Sequence, residues 1–231
     1  MHSIDLKFKH NCYEVGLLWR IGVDLNDNNF SLAYMRAKSL DTSLKRRGLY
    51  ENYSKIINDY VQKDYIEREY DNASPDYFLP HHAVVKKSGD INKLRIVFDG
   101  SCGIAGANSL NSSLYKGPLL LNDLISQLIK FRLFRVAMVA DIKEAFLQIK
   151  LKVGDRNFTK FIWFDESNNC IVFRFKRVPF GLTCSPFLLN ATLKHHLTLC
   201  NINPADIGFY VDDYLNSVND KKNAIEIHDV L

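Results

Sequence analysis

The sequence lacks the features of disulfide-stabilised, zinc-binding and membrane-spanning proteins. Its five cysteines are odd in number and form no Cys-x-x-Cys pair, which favours free thiols in a reducing compartment. His195, His196 and Cys200 lie close together on a predicted helix, but they supply no four-ligand zinc set. Residues 1–10 are charged throughout and do not form a signal peptide. No apolar run reaches the ~18 residues that a membrane-spanning helix requires.

The composition is that of an ordinary globular protein. Of the 231 residues, 47% are hydrophobic and 24% are charged, and neither an internal repeat nor a long low-complexity stretch is present. The length allows one large domain or two small ones. The net charge of +4 is mild, so it is compatible with a polyanionic partner without identifying one.

The first third of the chain is predicted to be mostly helical. Segment 40–47 ends in three basic residues followed by Gly48, which is a typical signal for the end of a helix. Apolar residues then recur at positions i, i+3, i+4, i+7 and i+8, as on one face of a helix. This stripe consists of Tyr53, Ile56, Ile57, Tyr60 and Val61.

Beyond residue 80 the pattern changes to strands, turns and further helices. Segments 82–87 and 94–98 flank a Ser-Gly-Asp sequence, which predicts a β-hairpin. Segment 100–118 is rich in Gly, Ser and Asn and is predicted to be a long loop. Ser185-Pro186 predicts the start of a helix, because serine caps helices and proline suits the first turn. The other predicted elements are a helix at 122–131, strands at 161–164 and 170–175, and a last helix capped by Asp220.

Two adjacent carboxylates, Asp212 and Asp213, lie inside the apolar, β-prone segment 207–218. Neighbouring side chains on a strand point to opposite faces, so both can face one site only where the chain turns. Adjacent like charges are unfavourable unless a cation neutralises them. The pair therefore predicts a divalent metal site at the tip of a hairpin, with a plain turn as the structural alternative.

A third carboxylate, Asp141, ends another apolar run. Segment 135–141 is almost uniformly apolar, which predicts a strand buried on both faces. Three aspartates at strand ends are typical of sites for two-metal phosphoryl transfer.

Four segments, in this order, resemble the reverse transcriptases of retroviruses and LTR retrotransposons. The resemblance covers roughly residues 80–231, and the ordered set is far more specific than any one segment. The segments are KLRIVFD at 93–99, VADIKEAF at 139–146, VPFGLTCSP at 178–186 and FYVDD at 209–213. Segments 11–15, 44–47, 53–65, 77–84 and 95–101 further resemble the Bel/Pao group of elements.

The resemblance implies an α+β right-hand polymerase fold. Residues 1–76 are expected to form a helical segment that precedes the polymerase. Residues 77–231 are expected to form the fingers and the palm, the latter a split βαβ, ferredoxin-like sheet. The thumb, ribonuclease H and integrase of such a polyprotein are expected beyond residue 231, so weak or no processive synthesis is expected of residues 1–231.

The resemblance also implies the metal ligands. Asp141 and Asp212 are expected to hold two Mg²⁺ ions, with Mn²⁺ as an alternative, helped by the backbone carbonyl of Ile142. Asp213 is expected to support the metals in a lesser role.

Five further residues correspond to nucleotide-binding positions of the family. Arg95 is expected to contact the incoming triphosphate, since guanidinium–phosphate bonds are strong. A neighbouring lysine, Lys87 or its neighbour Lys86, is expected to assist. Phe146 corresponds to a steric gate that excludes a 2′-hydroxyl. Phe180, where some retroviral enzymes have glutamine, and Gly181 are expected to line the nucleotide and template, with Gly181 allowing close backbone approach.

The function implied is RNA-directed DNA polymerase. Such an enzyme transfers deoxynucleotides from deoxynucleoside triphosphates to a primer 3′-end on an RNA or DNA template, with release of pyrophosphate. It is expected in cytoplasmic virus-like particles and without a membrane partner. The main alternative is an inactive or co-opted remnant that only folds or binds nucleic acid. An RNA-dependent RNA polymerase is disfavoured by Phe146. An aspartic protease needs Asp-Thr/Ser-Gly, and the chain offers only Asp99-Gly100-Ser101.

Overall fold

The chain forms two compact units in a computed structural model. The first unit comprises Met1–Gly117 and Phe146–Ser185, and the second comprises Pro118–Ala145 and Pro186–Leu231. The structure describes residues 6–9, 12–23, 25, 28–70, 76–88, 91–201 and 208–228.

The described residues form both strands and helices. The strands are β1 Leu6–Lys9, β2 Cys12–Val15, β3 Ile66–Arg68, β4 His81–Ser88, β5 Ile91–Phe98, β6 Val136–Asp141, β7 Lys150–Leu151, β8 Lys160–Phe164, β9 Cys170–Phe175, β10 Phe209–Tyr210 and β11 Asp213–Val218. The α-helices are α1 Phe30–Arg46, α2 Tyr50–Gln62, α3 Leu110–Ser113, α4 Leu124–Arg132, α5 Ser185–Leu199 and α6 Lys221–His228. Short 3₁₀ helices occupy Ala145–Gln148 and Val153–Thr159. This mixture confirms the α+β class.

Helix α1 ends where the basic residues and Gly48 predict. Gly48 has a φ of 64° and donates its N–H to the carbonyl of Lys45, while Leu49 donates to Leu44. These bonds satisfy carbonyls that the helix end would otherwise leave without partners. The chain thereby turns directly into α2.

The first unit contains two three-stranded sheets and a hairpin. The sheets have the orders β1-β2-β7 and β3-β9-β8, and β4 pairs with β5 in an antiparallel hairpin. The expectation that the first third is mostly helical is therefore incomplete, because β1, β2 and β3 lie there. Strands β2 and β3 pair with β7 and β9, which come much later in the chain. The predicted boundary between 76 and 77 does not coincide with the division into units and stays a prediction.

Aromatic rings form the core of the first unit. Trp163 on β8 stacks on Tyr50 and Tyr53 of α2, with ring centroids 5.3 and 5.2 Å apart. Phe98 at the end of β5 contacts Phe175 of β9 at 4.8 Å, edge to face. Each such pair contributes about 0.5–1.5 kcal/mol beyond the area it buries. The rings therefore attach α2 and the β4–β5 hairpin to the β3-β9-β8 sheet.

The second unit is an antiparallel sheet of order β10-β11-β6, with α4 and α6 packed against it. The prediction that β6 is buried on both faces is wrong, because Val139 is 67% exposed. Helix α4 buries the polar Gln127 and exposes Ile125 and Ile129. The apolar composition predicted β6 and α4 but not how far they are buried, because α4 and α6 cover only part of the sheet.

Several predicted elements are confirmed. The helix at 122–131 is α4, the helix from Ser185 is α5, and the strands at 161–164 and 170–175 are β8 and β9. Asp220 caps α6 by accepting a hydrogen bond from the N–H of Asn223 at 2.9 Å. The predicted loop 100–118 contains the short helix α3, and the turn residues Gly89 and Asp90 lie outside the described residues.

None of the helices in the described part of the chain combines the length and the apolar character needed to cross a membrane.

Candidate functional site

A two-residue turn of the second unit carries the two adjacent aspartates. Strands β10 and β11 pair Tyr210 with Asp213, so Val211 and Asp212 form a two-residue hairpin turn. Val211 has a φ of 60°, which matches the turn types that fit the twist of a hairpin. The prediction that the aspartates lie at a hairpin tip is confirmed by this geometry.

Asp141 lies at the same end of the sheet as this turn. Strands β6 and β11 are antiparallel, and their register places Asp141 directly opposite Asp213. The N–H of Ile142 donates to the carbonyl of Asp212 at 3.1 Å. Directly opposite residues of an antiparallel pair share a face of the sheet, so Asp213, rather than Asp212, is the close cross-strand neighbour of Asp141.

Close packing fixes the base of the hairpin. The N–H of Leu215 donates to the carbonyl of Gly208 at 2.8 Å. A Cβ on Gly208 would lie only 1.7 Å from the Leu215 carbonyl oxygen. Only glycine fits at this close approach of two backbones, so Gly208 sets the register that places Asp212 and Asp213 in the turn.

The three carboxylates of this site form a cluster of negative charge. Burial raises the pKa of Asp212, and the nearby charges of Asp213 and Asp141 raise it further. Carboxylate oxygens are the ligands that Mg²⁺ prefers, and a divalent cation would relieve this repulsion, so the donor set fits the predicted metal. Within the described residues, however, no three His, Cys, Asp or Glu side chains are gathered closely enough to hold an ion. The backbone makes the three aspartates neighbours without a preassembled ligand cage.

The β4–β5 hairpin of the first unit has a basic outer face. Lys86 lies directly opposite Lys93, and Arg95 is opposite Val84, two residues further along the same face. All three basic side chains are exposed, and none has a salt bridge to a carboxylate among the described residues. Like charges directly opposite one another destabilise a strand pair, so this face is suited to an anionic ligand.

The register separates the two candidate lysines. Lys87 pairs with Asn92, one position out of phase with the Lys86–Lys93 pair and with Arg95. Since successive residues of a strand alternate between faces, Lys86, opposite Lys93, shares the face of Arg95. From the sequence alone both lysines are candidates, because the sequence does not show how β4 pairs with β5.

Phe146 and Phe180 are in contact in the first unit. Their ring centroids are 4.8 Å apart at an interplanar angle of 67°. Phe146 is 8% exposed, whereas Phe180 is 40% exposed. The pair forms a small aromatic surface, with Phe146 as its buried part and Phe180 as its solvent-facing part.

Gly181 is required by a contact within the protein. Its φ is 94°, and a Cβ there would lie 2.0 Å from the carbonyl oxygen of Phe98. The sequence predicted that the backbone at Gly181 closely approaches a base or sugar. In the structure, this backbone closely approaches β5.

Asn111 holds this loop in place, and sequence reasoning did not identify it. Its side-chain amide donates to the carbonyl of Gly181 at 3.0 Å and to Ser101 Oγ at 2.8 Å, and its Oδ1 accepts from the N–H of Thr183 at 2.8 Å. Segment 100–118 was predicted to be a loop, and the partners of Asn111 lie ten to about seventy residues away. No local pattern could have shown these contacts.

The predicted site residues are divided between the two units. Asp141, Ile142, Asp212 and Asp213 belong to the second unit. The predicted nucleotide-binding residues, Lys87, Arg95, Phe146, Phe180 and Gly181, belong to the first unit.

Comparison with known proteins gives a family and a fold. A family model described as reverse transcriptase (RNA-dependent DNA polymerase) matches residues 106–231, which is more than half of the chain. No curated protein matches the sequence.

Solved structures of the foamy viral protease–reverse transcriptase share the fold. The complex with an RNA/DNA hybrid has a TM-score of 0.59 at 19% identity and covers 78% of this chain and 21% of its own. A complex with double-stranded DNA has a TM-score of 0.55 at 21% identity and covers 77% of this chain and 33% of its own. The chain therefore spans about a fifth to a third of these relatives.

Proposed function

The chain belongs to the reverse transcriptase family, and from this membership we propose that it is the RNA-directed DNA polymerase part of a retrotransposon polyprotein. It adds deoxynucleotides to a primer 3′-end on an RNA or DNA template. The observation that carries the proposal is the register that sets Asp141 beside Asp213, at the end of the sheet where Asp212 turns.

The aspartates of the second unit form the proposed catalytic site. Asp141, Asp212 and Asp213, with the carbonyl of Ile142, hold two Mg²⁺ ions, for which Mn²⁺ can substitute. When bound, such ions lower the pKa of the primer 3′-hydroxyl and stabilise charge on the leaving pyrophosphate. The hydrogen bond from Ile142 to Asp212 keeps the two chain segments in register.

The basic face of the β4–β5 hairpin is proposed to bind the triphosphate. Arg95 supplies the planar donor that suits phosphate oxygens, and Lys86 supplies a second charge on the same face. The strand register favours Lys86 over the other candidate, Lys87. Lys93, opposite Lys86, adds a third positive charge.

The aromatic surface is proposed to select the sugar. Phe146, buried behind Phe180, gives a bulky and rigid wall that excludes a 2′-hydroxyl. Asn111 and Gly181 fix the backbone that carries Phe180. Together these residues favour deoxynucleotides over ribonucleotides.

The wider setting is inferred from resemblance. The foamy viral relatives are longer than this chain, and their structures contain double-stranded DNA or an RNA/DNA hybrid. We propose a Bel/Pao-type polyprotein in which a thumb, ribonuclease H and integrase accompany this part. Replication then occurs in cytoplasmic virus-like particles.

Primer extension tests the proposal. A labelled DNA primer on an RNA template is incubated with Mg²⁺, deoxynucleotides and either the chain or its Asp212→Asn variant. Glu226→Gln, at an exposed carboxylate of α6 in the same unit, is the matched control. We expect weak, non-processive extension by the parent and the control, and a loss of at least about 10²-fold in Asp212→Asn, as for removal of other key charge-stabilising groups.

Two outcomes would contradict the proposal. Extension that survives in Asp212→Asn would exclude the aspartate turn as the catalytic site. No extension by any folded variant, with nucleic-acid binding retained, would favour a remnant that only binds nucleic acid.

A further inference from the structure

A cavity of about 300 Å³ opens in the first unit between helix α2 and the β8–β9 hairpin. We call it the α2 cavity. Ser54 and Asn58 of α2 line it on one side, and the turn after β8 lines it on the other. Its lining is separate from the residues proposed above to bind metal, triphosphate and sugar.

Aromatic rings form the buried floor of the α2 cavity. Trp163 on β8 lies directly opposite Ile171 on β9, so both side chains point to the same face of the sheet. Tyr50 of α2 stacks on Trp163, with ring centroids 5.3 Å apart. The ring of Tyr50 already attracts one cation of the chain, since Nζ of Lys45 lies 5.2 Å from its centroid. The floor is therefore apolar, with rings whose faces favour positive charge.

One polar group of this floor, the indole N–H of Trp163, has no protein acceptor within the part of the chain that the structure describes. The side chain of Trp163 is 5% exposed. Trp19, the other tryptophan, instead donates its indole N–H to Asp155 Oδ1 at 2.8 Å. A buried donor without a partner is unfavourable, so a ligand that brings an acceptor into the cavity gains a hydrogen bond from Trp163.

Two carboxylates, Asp165 and Glu166, lie at the rim of the α2 cavity in the turn between β8 and β9. The side-chain amide and the backbone N–H of Asn169 donate to Asp165 at 3.0 and 2.7 Å, and these bonds lower its pKa. Glu166 is exposed and forms no salt bridge with any described basic residue. The two acids give the lining a formal charge of −2, in a chain whose net charge is +4.

The negative charge of the rim reaches the aromatic floor. The pKa of Tyr50 is raised to about 12, first by burial and then by the charges of Asp41, Glu166 and Asp165. Its hydroxyl stays protonated and donates to the carbonyl of Phe164 at 3.0 Å. The cavity therefore favours a cation over an anion.

The chemistry of the lining defines the ligand as a cation with a flat apolar part and a nearby hydrogen-bond acceptor. A guanidinium group is planar, stacks on aromatic rings and pairs with both oxygens of a carboxylate. The peptide carbonyl next to an arginine side chain supplies the acceptor. A volume of about 300 Å³ is at the lower end for ligand sites, which suits one long side chain.

We propose that the α2 cavity binds an arginine side chain from an extended, basic segment of a partner protein. Glu166 and Asp165 pair with the guanidinium, whose apolar stem lies over Tyr50 and Trp163. The indole N–H of Trp163 donates to a carbonyl of the bound peptide. The site is thus a protein-docking surface, and it requires neither the aspartates of the second unit nor a nucleotide.

Nuclear magnetic resonance of the ¹⁵N-labelled full chain tests this proposal, because its two tryptophans give separate indole signals. The probe is the peptide Gly-Ala-Arg-Ala-Gly, blocked at both ends, and two further peptides carry lysine or glutamine in place of arginine. The variant Trp163→Phe assigns the signals. Glu166→Gln is the test variant. Glu51→Gln is the matched control, since it removes an exposed carboxylate of α2 that lies outside the cavity but whose charge also reaches Tyr50.

We expect the arginine peptide to shift the indole signal of Trp163 and to leave that of Trp19 unchanged. The dissociation constant should rise about 5-fold in Glu166→Gln and should match the parent in Glu51→Gln. The lysine peptide should bind more weakly than the arginine peptide, because an ammonium cannot pair in the same planar way. The glutamine peptide should cause no shift at the same concentration. An unchanged Trp19 signal in both variants shows that the first unit remains folded.

Three outcomes would overturn the proposal. Equal shifts with the arginine and glutamine peptides would show that the cavity does not recognise a cation. Equal weakening in Glu166→Gln and Glu51→Gln would show only a general attraction between opposite charges. A Trp163 signal that shifts with the concentration of the protein alone, and no longer does so in Glu166→Gln, would identify a second copy of the chain as the occupant instead of a partner protein.

Discussion

Val211 and Gly181 both have backbone conformations that L-amino acids with side chains rarely adopt. Val211 has a φ of 60° in the turn beside Asp212, and Gly181 has a φ of 94° beside Phe180. For a β-branched residue a positive φ is an outlier, and holding it costs about 1–3 kcal/mol. Backbone strain is thus located next to the carboxylates, where glycine would be the unstrained choice.

Replacing Val211 by glycine should therefore stabilise the protein. We expect Val211→Gly to raise the free energy of unfolding by about 1 kcal/mol, because the relief of strain exceeds the entropy that glycine adds to the unfolded chain. Urea denaturation followed by circular dichroism measures the change. Val218→Gly, at the other end of β11, is the control and should destabilise by about 1 kcal/mol. Destabilisation of similar size in both variants would show that Val211 is not strained.

Gly181 illustrates the reverse case, in which any side chain is excluded. We expect Gly181→Ala to destabilise by more than about 3 kcal/mol, because its Cβ would overlap the backbone carbonyl of Phe98. Gly106→Ala is the matched control, since Gly106 has a φ of 84° and open space around it. That variant should lose only about 1 kcal/mol from the unfavourable φ. Equal losses in thermal or urea unfolding would mean that conformation alone, and not the contact with β5, requires glycine at 181.

The β4–β5 hairpin is an element with two different faces. One face points into the aromatic core and carries His81, and the other is the exposed basic face with Lys86 and Arg95. His81 Nε2–H donates to the carbonyl of Ile162 at 2.8 Å, and Nδ1 accepts from the hydroxyl of Tyr53 at 2.5 Å. The buried ring is therefore held neutral, and it attaches the hairpin to both α2 and β8.

This arrangement predicts a pH dependence of stability. Burial lowers the pKa of His81 from 6.5 to about 4, so between these values the unfolded chain binds the proton and the folded chain does not. The contribution of the ring is fully present above pH 6.5 and is lost as the pH falls toward 4, by about 3 kcal/mol in total.

Two histidine variants test that dependence. In His81→Gln the fall in unfolding free energy between pH 6.5 and pH 4 should be smaller than in the parent by about 3 kcal/mol. In His82→Gln, at the exposed neighbour, it should match the parent. Carboxylates titrate alike in all three proteins and cancel in the comparison. An unchanged fall in His81→Gln would show that the buried ring does not resist protonation.

Sequence patterns predicted elements whose signals are local. The stop after α1, the hairpin strands at 82–87 and 94–98, helix α5 and the aspartate turn all follow from nearby residues, and all are present. Elements that the sequence did not predict include β2 and β3, which are four and three residues long and pair with the distant strands β7 and β9. The choice of Lys86 over Lys87 and the role of Asn111 likewise depend on register and long-range contacts, which no local pattern contains.

At the scale of the whole molecule, the two units differ in how well their apolar residues are buried. The first unit contains the aromatic core around Trp163 and Phe161, both nearly inaccessible. In the second unit α4 buries Gln127 and leaves Ile125 and Ile129 largely exposed. Because stability rises with the apolar surface removed from water, the second unit should be the less stable of the two.

Hydrogen exchange measured by mass spectrometry tests this difference. We expect amides of β6 and β11 to exchange faster, relative to their intrinsic rates, than amides of β8 and β9, because sparsely covered elements open locally at lower free energy. Ser217→Ala should increase exchange in α4 and β11 alone, since its hydroxyl donates to the carbonyl of Lys130 and accepts from the N–H of Phe134. Thr198→Ala, whose hydroxyl donates to the carbonyl of Lys194 within α5, should leave β11 unchanged. Equal protection of the two sheets, or an effect of Ser217→Ala that spreads to β8, would instead show that the units unfold together.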